Sequence, residues 1–379
     1  MNFGSDNTSA VAPRIMEAIQ AANEGHARPY GGDALTPVVE ARIRDIFEAP
    51  EARVFLVTSG TAANALSCAL LTRPWEAIFC HRNAHIEEDE CGAPEFFTDG
   101  AKLVLVEGED AKMEPQALRD KIRHTGAAIH NIKRGMVSIT NATEFGTVYT
   151  VDEVKALCDV AREFDLPVHM DGARFANAVV RLGCSPADLT WKAGVDVLSF
   201  GGTKNGCMGV EAVVVFDPAR AQEFEIRRKR SGQLMSKHRY LAAQMMAYLY
   251  GDLWLLLARQ ANAMARKLAD GLASLPEVRM LHPTQANAVF VAMPRHLHQK
   301  LHDHGAYYYF WPFDQDLEGD AEEVLSARLV CSWSTTTPEI ETFLGLLDWV
   351  APARSLPEAP RSLAPQEAEP DPAQHEGSR

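Results

Sequence analysis

The stretch Pro167-Val168-His169-Met170-Asp171-Gly172-Ala173-Arg174 decides how this chain folds. An apolar run of strand length ends in a carboxylate, with an arginine three residues on, and the carboxylate could cap a following helix. A run of this kind, apolar on both sides rather than alternating, is what a strand covered on both faces looks like. The same unit recurs along the chain. Candidate strands are Val54 to Val57, Ala77 to Cys80, Leu103 to Val106, Met136 to Ile139, Pro167 to Met170, Asp196 to Phe200 and Ala212 to Phe216. Helical stretches such as Val151-Asp152-Glu153-Val154-Lys155-Ala156-Leu157 lie between several of them. Alternation of strand and helix predicts an α/β fold with a mostly parallel sheet covered by helices. In such sheets ligands bind beyond the carboxyl ends of the strands.

From about Gly251 the pattern changes. A long helical run (Leu253 to Leu275) leads to Asn287 to Met293, a helix around Leu297, and a strand from Ala327 to Cys331, which reads as a smaller α+β domain. The expected division is residues 1–250 for the large domain with the N-terminal segment and 251–355 for the small one. A disordered Pro/Glu/Ala-rich tail is expected over 356–379.

The 379 residues carry 37 basic and 51 acidic side chains, a formal charge of -14. That balance repels phosphate backbones and anionic lipid surfaces, so neither a nucleic acid nor a membrane is an expected partner. The N-terminus has no basic segment followed by an apolar one, so no secretory signal is expected. The apolar stretch Tyr240 to Ala258 is interrupted by Gly251 and Asp252 and reads as a buried helix pair. Seven cysteines, scattered and without a Cys-x-x-Cys pair, fit reduced thiols in a cytoplasm rather than a disulfide framework or a thiolate metal site.

Three strand ends carry candidate chemistry. Val57-Thr58-Ser59-Gly60-Thr61-Ala62-Ala63-Asn64 is a strand, a small-residue turn and a helix start, where bare N–H groups could cradle a phosphate. Taken alone, an ordinary helix cap is the better explanation of it. Asp171 ends a strand with Arg174 three residues on, and could simply cap the next helix. Lys204, in Gly201-Gly202-Thr203-Lys204-Asn205-Gly206, could be a solvated turn lysine. Together, however, a phosphate cradle, a strand-end carboxylate and a strand-end lysine make up a site for pyridoxal phosphate: the lysine as covalent anchor, the carboxylate keeping the pyridine nitrogen protonated.

The motifs Gly60-Thr61-Ala62-Ala63-Asn64, His85-Ile86, Asp171-Gly172-Ala173-Arg174 and Gly202-Thr203-Lys204 resemble those of low-specificity L-threonine aldolases. These are fold-type I pyridoxal-phosphate enzymes of the β-eliminating lyase group. The resemblance is nearest to the branch that also cleaves phenylserine-like substrates and runs from roughly Phe3 to Val350. It implies an aspartate-aminotransferase-like large domain built on a seven-stranded sheet. It also implies cleavage of threonine, allo-threonine or phenylserine-type β-hydroxy-α-amino acids to glycine and an aldehyde. By the same resemblance Lys204 would hold the cofactor, Asp171 would pair with its ring nitrogen, and Gly60, Thr61 and Asn64 would bind its phosphate. His85 would stack on the ring near the substrate hydroxyl. Arg174 and Arg328, with Ser5, would clamp the substrate carboxylate. Tyr30 and Lys229 match family segments that reach a neighbouring subunit's site, implying a homo-oligomer, a dimer or tetramer with shared active sites.

Two positions depart from the family pattern. Where many members read Thr-His-x-Gly, this chain has Thr143-Glu144-Phe145-Gly146, and Glu144 reads either as a catalytic base or as a glutamate bonding His85 or backbone. Ser236-Lys237 stands where the family often has Arg-Gln, which leaves the phosphate contacts of that loop open. The run His85-Ile86-Glu87-Glu88-Asp89-Glu90 lacks His-Glu-x-x-His spacing and reads as a solvated acidic helix start rather than a metal site. His298 and His302 sit one helical turn apart on what reads as a surface helix. The competing functional reading is another fold-type I lyase or aminotransferase acting on a different amino acid. A catalytically idle relative that binds the cofactor or a protein is the reading from another class.

Overall fold

Seven strands form the first sheet: β1 (Arg53–Val57), β2 (Glu76–His81), β3 (Lys102–Val106), β4 (Lys133–Thr140), β5 (Val168–Gly172), β6 (Val197–Gly201) and β7 (Glu211–Val215). The computed structural model describes residues 1–348. The spatial order is β1-β7-β6-β5-β4-β2-β3, and only β7 runs antiparallel to its neighbours. Strands β5, β6 and β7 are buried at every residue, which is why the sequence shows continuous apolar runs instead of alternation. All seven expected strands are present.

Because the strands share one direction, the turns after β1, β2, β4, β5 and β6 open on the same carboxyl edge. Register fixes their relative heights: Thr140 pairs with Asp171, and Asp171 with Ser199. Gly201 pairs with Glu211, the first residue of the antiparallel strand, so β7 begins at that edge too. The helix Gly60–Leu71 is buried along ten residues from Ala62 to Leu71 and crosses the sheet, in keeping with its apolar composition. A capping box at Thr150 and Glu153 starts the helix Val151–Arg162.

The second sheet contains β8 (Arg279–Met280), β9 (Ala288–Pro294), β10 (Tyr309–Phe310) and β11 (Val324–Val330), all antiparallel, in the order β10-β11-β9-β8. Strands β8 and β10 are two residues long, too short for a periodic signal in the sequence. A separate hydrophobic core forms under this sheet from Leu268, Leu272, Val289, Val291, Leu329, Ile340 and Phe343. Phe3 belongs to this second core, and its N–H donates to the Tyr307 carbonyl at 2.7 Å. Met1 to Phe3 therefore pack on the smaller sheet rather than on the larger one.

The apolar stretch after Arg239 folds as two helices, Arg239–Leu249 and Leu253–Ala273, interrupted where Gly251 and Asp252 adopt left-handed backbone. By length and composition the combined segment could cross a membrane, but much of it is packed inside the fold. Leu253–Ala273 packs on the helix Phe175–Leu182 on one side and Thr337–Leu346 on the other, bridging the two cores. All seven cysteines are free, five of them buried. The tail expected over 356–379, and the end of the small domain beyond 348, lie outside the described residues.

Candidate active site

The β5 end supplies the centre. Asp171 is 2% exposed; its Oδ1 accepts the Ala173 N–H at 2.9 Å and its Oδ2 accepts the Asn64 side-chain amide at 2.9 Å. Beneath it His169 lies between Ser138 and Ser199, each ring nitrogen 3.0 Å from a hydroxyl oxygen. Burial holds His169 neutral, with its pKa lowered to about 4 despite the pull of Asp171. The Asp171 carboxylate therefore sits on a rigid, uncharged floor.

The phosphate-type turn after β1 has the expected form. Ser59 caps the helix, its Oγ accepting the Ala62 N–H at 3.2 Å, while the N–H groups of Gly60 and Thr61 have no partner among the described residues. A side chain built on Gly60 would meet nothing within 4 Å, so the cradle is open. Thr58 donates from both N–H and Oγ1 to Gln233 Oε1, at 3.1 and 2.7 Å, tying this turn to the loop that carries Ser236 and Lys237. Asn64 spends both protons of its side-chain amide on carboxylates, Asp171 and Glu90.

Lys204 stands in the turn after β6. This turn is held on every side. Glu211 Oε2 accepts the Gly202 N–H at 2.7 Å, and Asn205 donates to the Tyr248 hydroxyl and the Trp254 carbonyl, both at 2.8 Å. Burial pushes the Glu211 carboxyl up to about 7, against hydrogen bonds from Thr203 and Gly202 and the charge of Lys204. A Cβ on Gly201 would fall 2.3 Å from the Ala173 carbonyl oxygen, so only glycine lets the Lys204 turn lie against the Arg174 turn.

Two guanidiniums face the same space. Arg174 is gripped by Asp6, Nε to Oδ2 at 2.7 Å and Nη2 to Oδ1 at 3.0 Å, and Asn287 donates to Asp6 Oδ2 at 3.1 Å. Burial opposes the charge on both partners, and the pairing overrides it: the Asp6 carboxyl is held low and Arg174 high. Ser5 caps the short turn that presents Asp6. Arg328, on β11, differs. Its side chain makes no hydrogen bond or ion pair among the described residues, its buried Nε is unpartnered, and it lies 4.8 Å from the Trp311 ring. Burial and the neighbouring Arg174 lower its pKa. An unneutralised, partly buried guanidinium beside a second one has the charge and geometry to receive an anion such as a carboxylate.

His85 completes the site. Burial disfavours its charged form, but the hydrogen bond to Glu90 at 2.8 Å and the fields of Glu144 and Asp171 win, and its pKa is raised. The acidic run is not wholly solvated, as its composition suggests: Glu87, Glu88 and Asp89 are exposed, but Glu90 is 4% exposed and faces inward. Glu144 sits in the Thr143 to Thr147 turn, close enough to influence His85, Arg174 and Arg328, and makes no hydrogen bond among the described residues. Tyr30 and Lys229 come together, the Lys229 ammonium 4.4 Å from the Tyr30 ring centre, with Tyr30 half exposed. His298 is fully buried rather than on a surface. Its Nδ1 meets the Tyr308 hydroxyl at 2.9 Å and its Nε2 the Leu325 carbonyl at 3.2 Å, so both ring nitrogens are occupied. Asp6, Glu90, Glu211 and Gln233 are site residues that the sequence did not single out. Asp6 and Gln233 lie far along the chain from their partners, Glu211 meets Gly202 from the next strand, and Glu90's position inside an acidic run disguised it.

The fold and this edge-of-sheet constellation define a lyase of the pyridoxal-phosphate type I architecture. The chain belongs to the beta-eliminating lyase family, whose model matches residues 2–294. It is 44% identical over 334 residues to the low specificity L-threonine aldolase of Pseudomonas aeruginosa, covering 88% of this chain and 93% of that one. A low specificity L-threonine aldolase from a Pseudomonas species is 41% identical, with 88% and 93% covered. Among solved structures, Leishmania major threonine aldolase superposes with a TM-score of 0.85 at 27% identity, covering 92% of this chain and 98% of that one.

Proposed function

We propose that the protein is a carbon–carbon lyase of the threonine aldolase type, cleaving β-hydroxy-α-amino acids such as L-threonine, L-allo-threonine or phenylserine to glycine and an aldehyde. The observation that carries this is the pairing of a cation receptor with an anion receptor at one edge of the sheet. Buried Asp171 lies on β5 and Lys204 in the turn after the adjacent β6, the Gly60 cradle opens at the same edge, and the unneutralised Arg328 lies in the field of Arg174. Those residues fit pyridoxal phosphate. Gly60 and Thr61 offer N–H groups to its phosphate, Asp171 offers a fixed carboxylate to its ring N–H, and Lys204 would hold it covalently. When bound there, the cofactor supplies the electron sink for the pair released from the Cα–Cβ bond.

The chain's own residues do the rest. Arg174 and Arg328 receive the substrate carboxylate in bidentate fashion and so fix the rotation about Cα. The grip of Asp6 pre-orients Arg174, so little side-chain freedom is lost on binding. His85 takes the β-hydroxyl proton, with Glu144 alongside as a second carboxylate near the leaving aldehyde. Asn64 fixes the spacing between Asp171 and Glu90 by donating to both. The assembly is read as a homo-oligomer, dimer or tetramer, in which the exposed Tyr30 and Lys229 approach a neighbouring copy's site. Its compartment is read as the cytoplasm, in keeping with seven free thiols.

Incubating the protein and pyridoxal phosphate with threonine, allo-threonine, phenylserine and their D-isomers, then quantifying glycine, tests the proposal. Glycine with an equimolar aldehyde from the L-isomers is the expected result. A 2-oxo acid with ammonia, or amino-group exchange with a keto acid, would overturn it in favour of a different lyase or an aminotransferase.

A further inference from the structure

Glu90 makes contacts that a surface acid would not. It is buried, its Oε1 lies 2.8 Å from His85 Nδ1 and 2.8 Å from the Asn64 amide nitrogen, and its Oε2 has no partner. Asn64 gives its other amide proton to Asp171 Oδ2, so one amide holds two carboxylates apart at fixed positions. The donor and acceptor atoms of His85, Glu90 and Asp171 all lie within 4.8 Å of one another. A carboxylate buried this close to another is costly unless a cation stands between or beside them. The groups facing His85 are Glu90, Asp171, Glu144 and Lys204, three acids and one base; those facing Glu90 are His85 and Asp171.

We infer that Glu90 is the positioning residue of the hydroxyl-proton step: it accepts the Nδ1–H of His85 and leaves Nε2 as the basic nitrogen. Nε2 has no partner among the described residues, so it is the nitrogen left to meet a substrate hydroxyl. When His85 takes the proton, the substrate O–H bond breaks and an N–H bond forms at Nε2. The O–H electron pair becomes the second bond of the aldehyde carbonyl as Cα–Cβ breaks, and bound pyridoxal phosphate would supply the sink for the Cα–Cβ pair. The proton lost from the hydroxyl balances the one Cα gains in glycine. Glu90 stabilises the imidazolium formed in between, as a third group orients and supports a histidine base elsewhere. The raised pKa of His85 agrees with this, since a group held towards its charged form by a partner is the stronger base.

The inference rests on the aldolase reading and is tested apart from it. In the full-length holoenzyme, a histidine N–H bonded to a buried carboxylate gives a proton resonance well downfield of the amides. The expected result is such a resonance in the wild type, lost in His85→Asn and lost or moved upfield in Glu90→Gln. In the same variants the acid limb of kcat/KM for threonine should fall by about one pH unit in Glu90→Gln, with kcat reduced on the order of 10- to 100-fold. Glu90→Asp should recover part of both. A resonance and an acid limb unchanged in Glu90→Gln would overturn the inference. If Glu90→Gln does not fold, the wild type decides: no downfield resonance dependent on His85 refutes the pairing. A wild type that shows the resonance but forms no glycine refutes the aldolase reading instead.

Discussion

Asp6→Asn is the perturbation whose outcome follows most directly from the geometry. Asp6 is 2% exposed and makes two hydrogen bonds to one guanidinium while accepting a third from Asn287. Removing one partner of a buried pair leaves the other charge uncompensated and costs about 3–5 kcal/mol. Asparagine keeps the shape and can still accept one guanidinium bond, so the lower end, about 3 kcal/mol, is expected. For a compact unit of about 350 residues each kcal/mol moves the melting midpoint by about 1–2 °C, so the variant should melt roughly 4 °C below the wild type. The pH dependence follows from the depressed carboxyl of Asp6. Its contribution is fully present above the unfolded carboxylate range, about 3.9, and disappears as pH falls through the still lower folded value. The gap between wild type and variant should therefore be constant from pH 8 to pH 5 and close only in stronger acid. Scanning calorimetry of the cofactor-loaded proteins across that range is the assay. Midpoints agreeing within 1 °C at pH 7 would refute the claim that Asp6 holds Arg174 in place.

Other substitutions address the site one group at a time. Arg328→Leu should raise KM for threonine by roughly 100-fold while melting at or above the wild-type midpoint, because it removes an unpaired, partly buried charge; unchanged KM in steady-state assays would remove Arg328 from the carboxylate clamp. Gly201→Ala places a methyl group 2.3 Å from the Ala173 carbonyl oxygen and should misplace the turns of both Lys204 and Arg174, seen as lost cofactor absorbance; a normal spectrum would show that the two turns tolerate separation. Gln233→Ala removes both Thr58 hydrogen bonds and should weaken cofactor retention several-fold in equilibrium dialysis, with the fold intact by circular dichroism. His85→Asn should lower kcat by about 10²–10⁴-fold, whereas Glu144→Gln should cost less than about 10-fold; the reverse order would transfer the base role to Glu144.

The large sheet was legible because burial on both faces writes itself into sequence as uninterrupted apolar runs, and every one of its strands was found from them. The placement of Asp171, Arg174 and Lys204 at the carboxyl edge was legible for a related reason: each ends or closely follows a buried run whose direction its neighbour shares. What stayed hidden depends on distance along the chain. Asp6 meets Arg174 across 168 residues and Gln233 meets Thr58 across 175, separations that no local pattern reports. Glu90 was hidden differently, since a charge run reads as solvated although its last member turns inward at the end of a short helix. His298 shows the same limit: a polar helix in sequence can still bury one histidine when a tyrosine and a carbonyl receive its two nitrogens.

The most direct test of the account is the product of L-threonine in the presence of pyridoxal phosphate, followed for wild type and Lys204→Ala. Glycine and acetaldehyde in equal amounts are expected from the wild type, with neither product nor the visible absorbance of bound cofactor in the variant. Glycine formation that persists in Lys204→Ala at the wild-type rate, or a wild type that consumes threonine without releasing glycine, would contradict it.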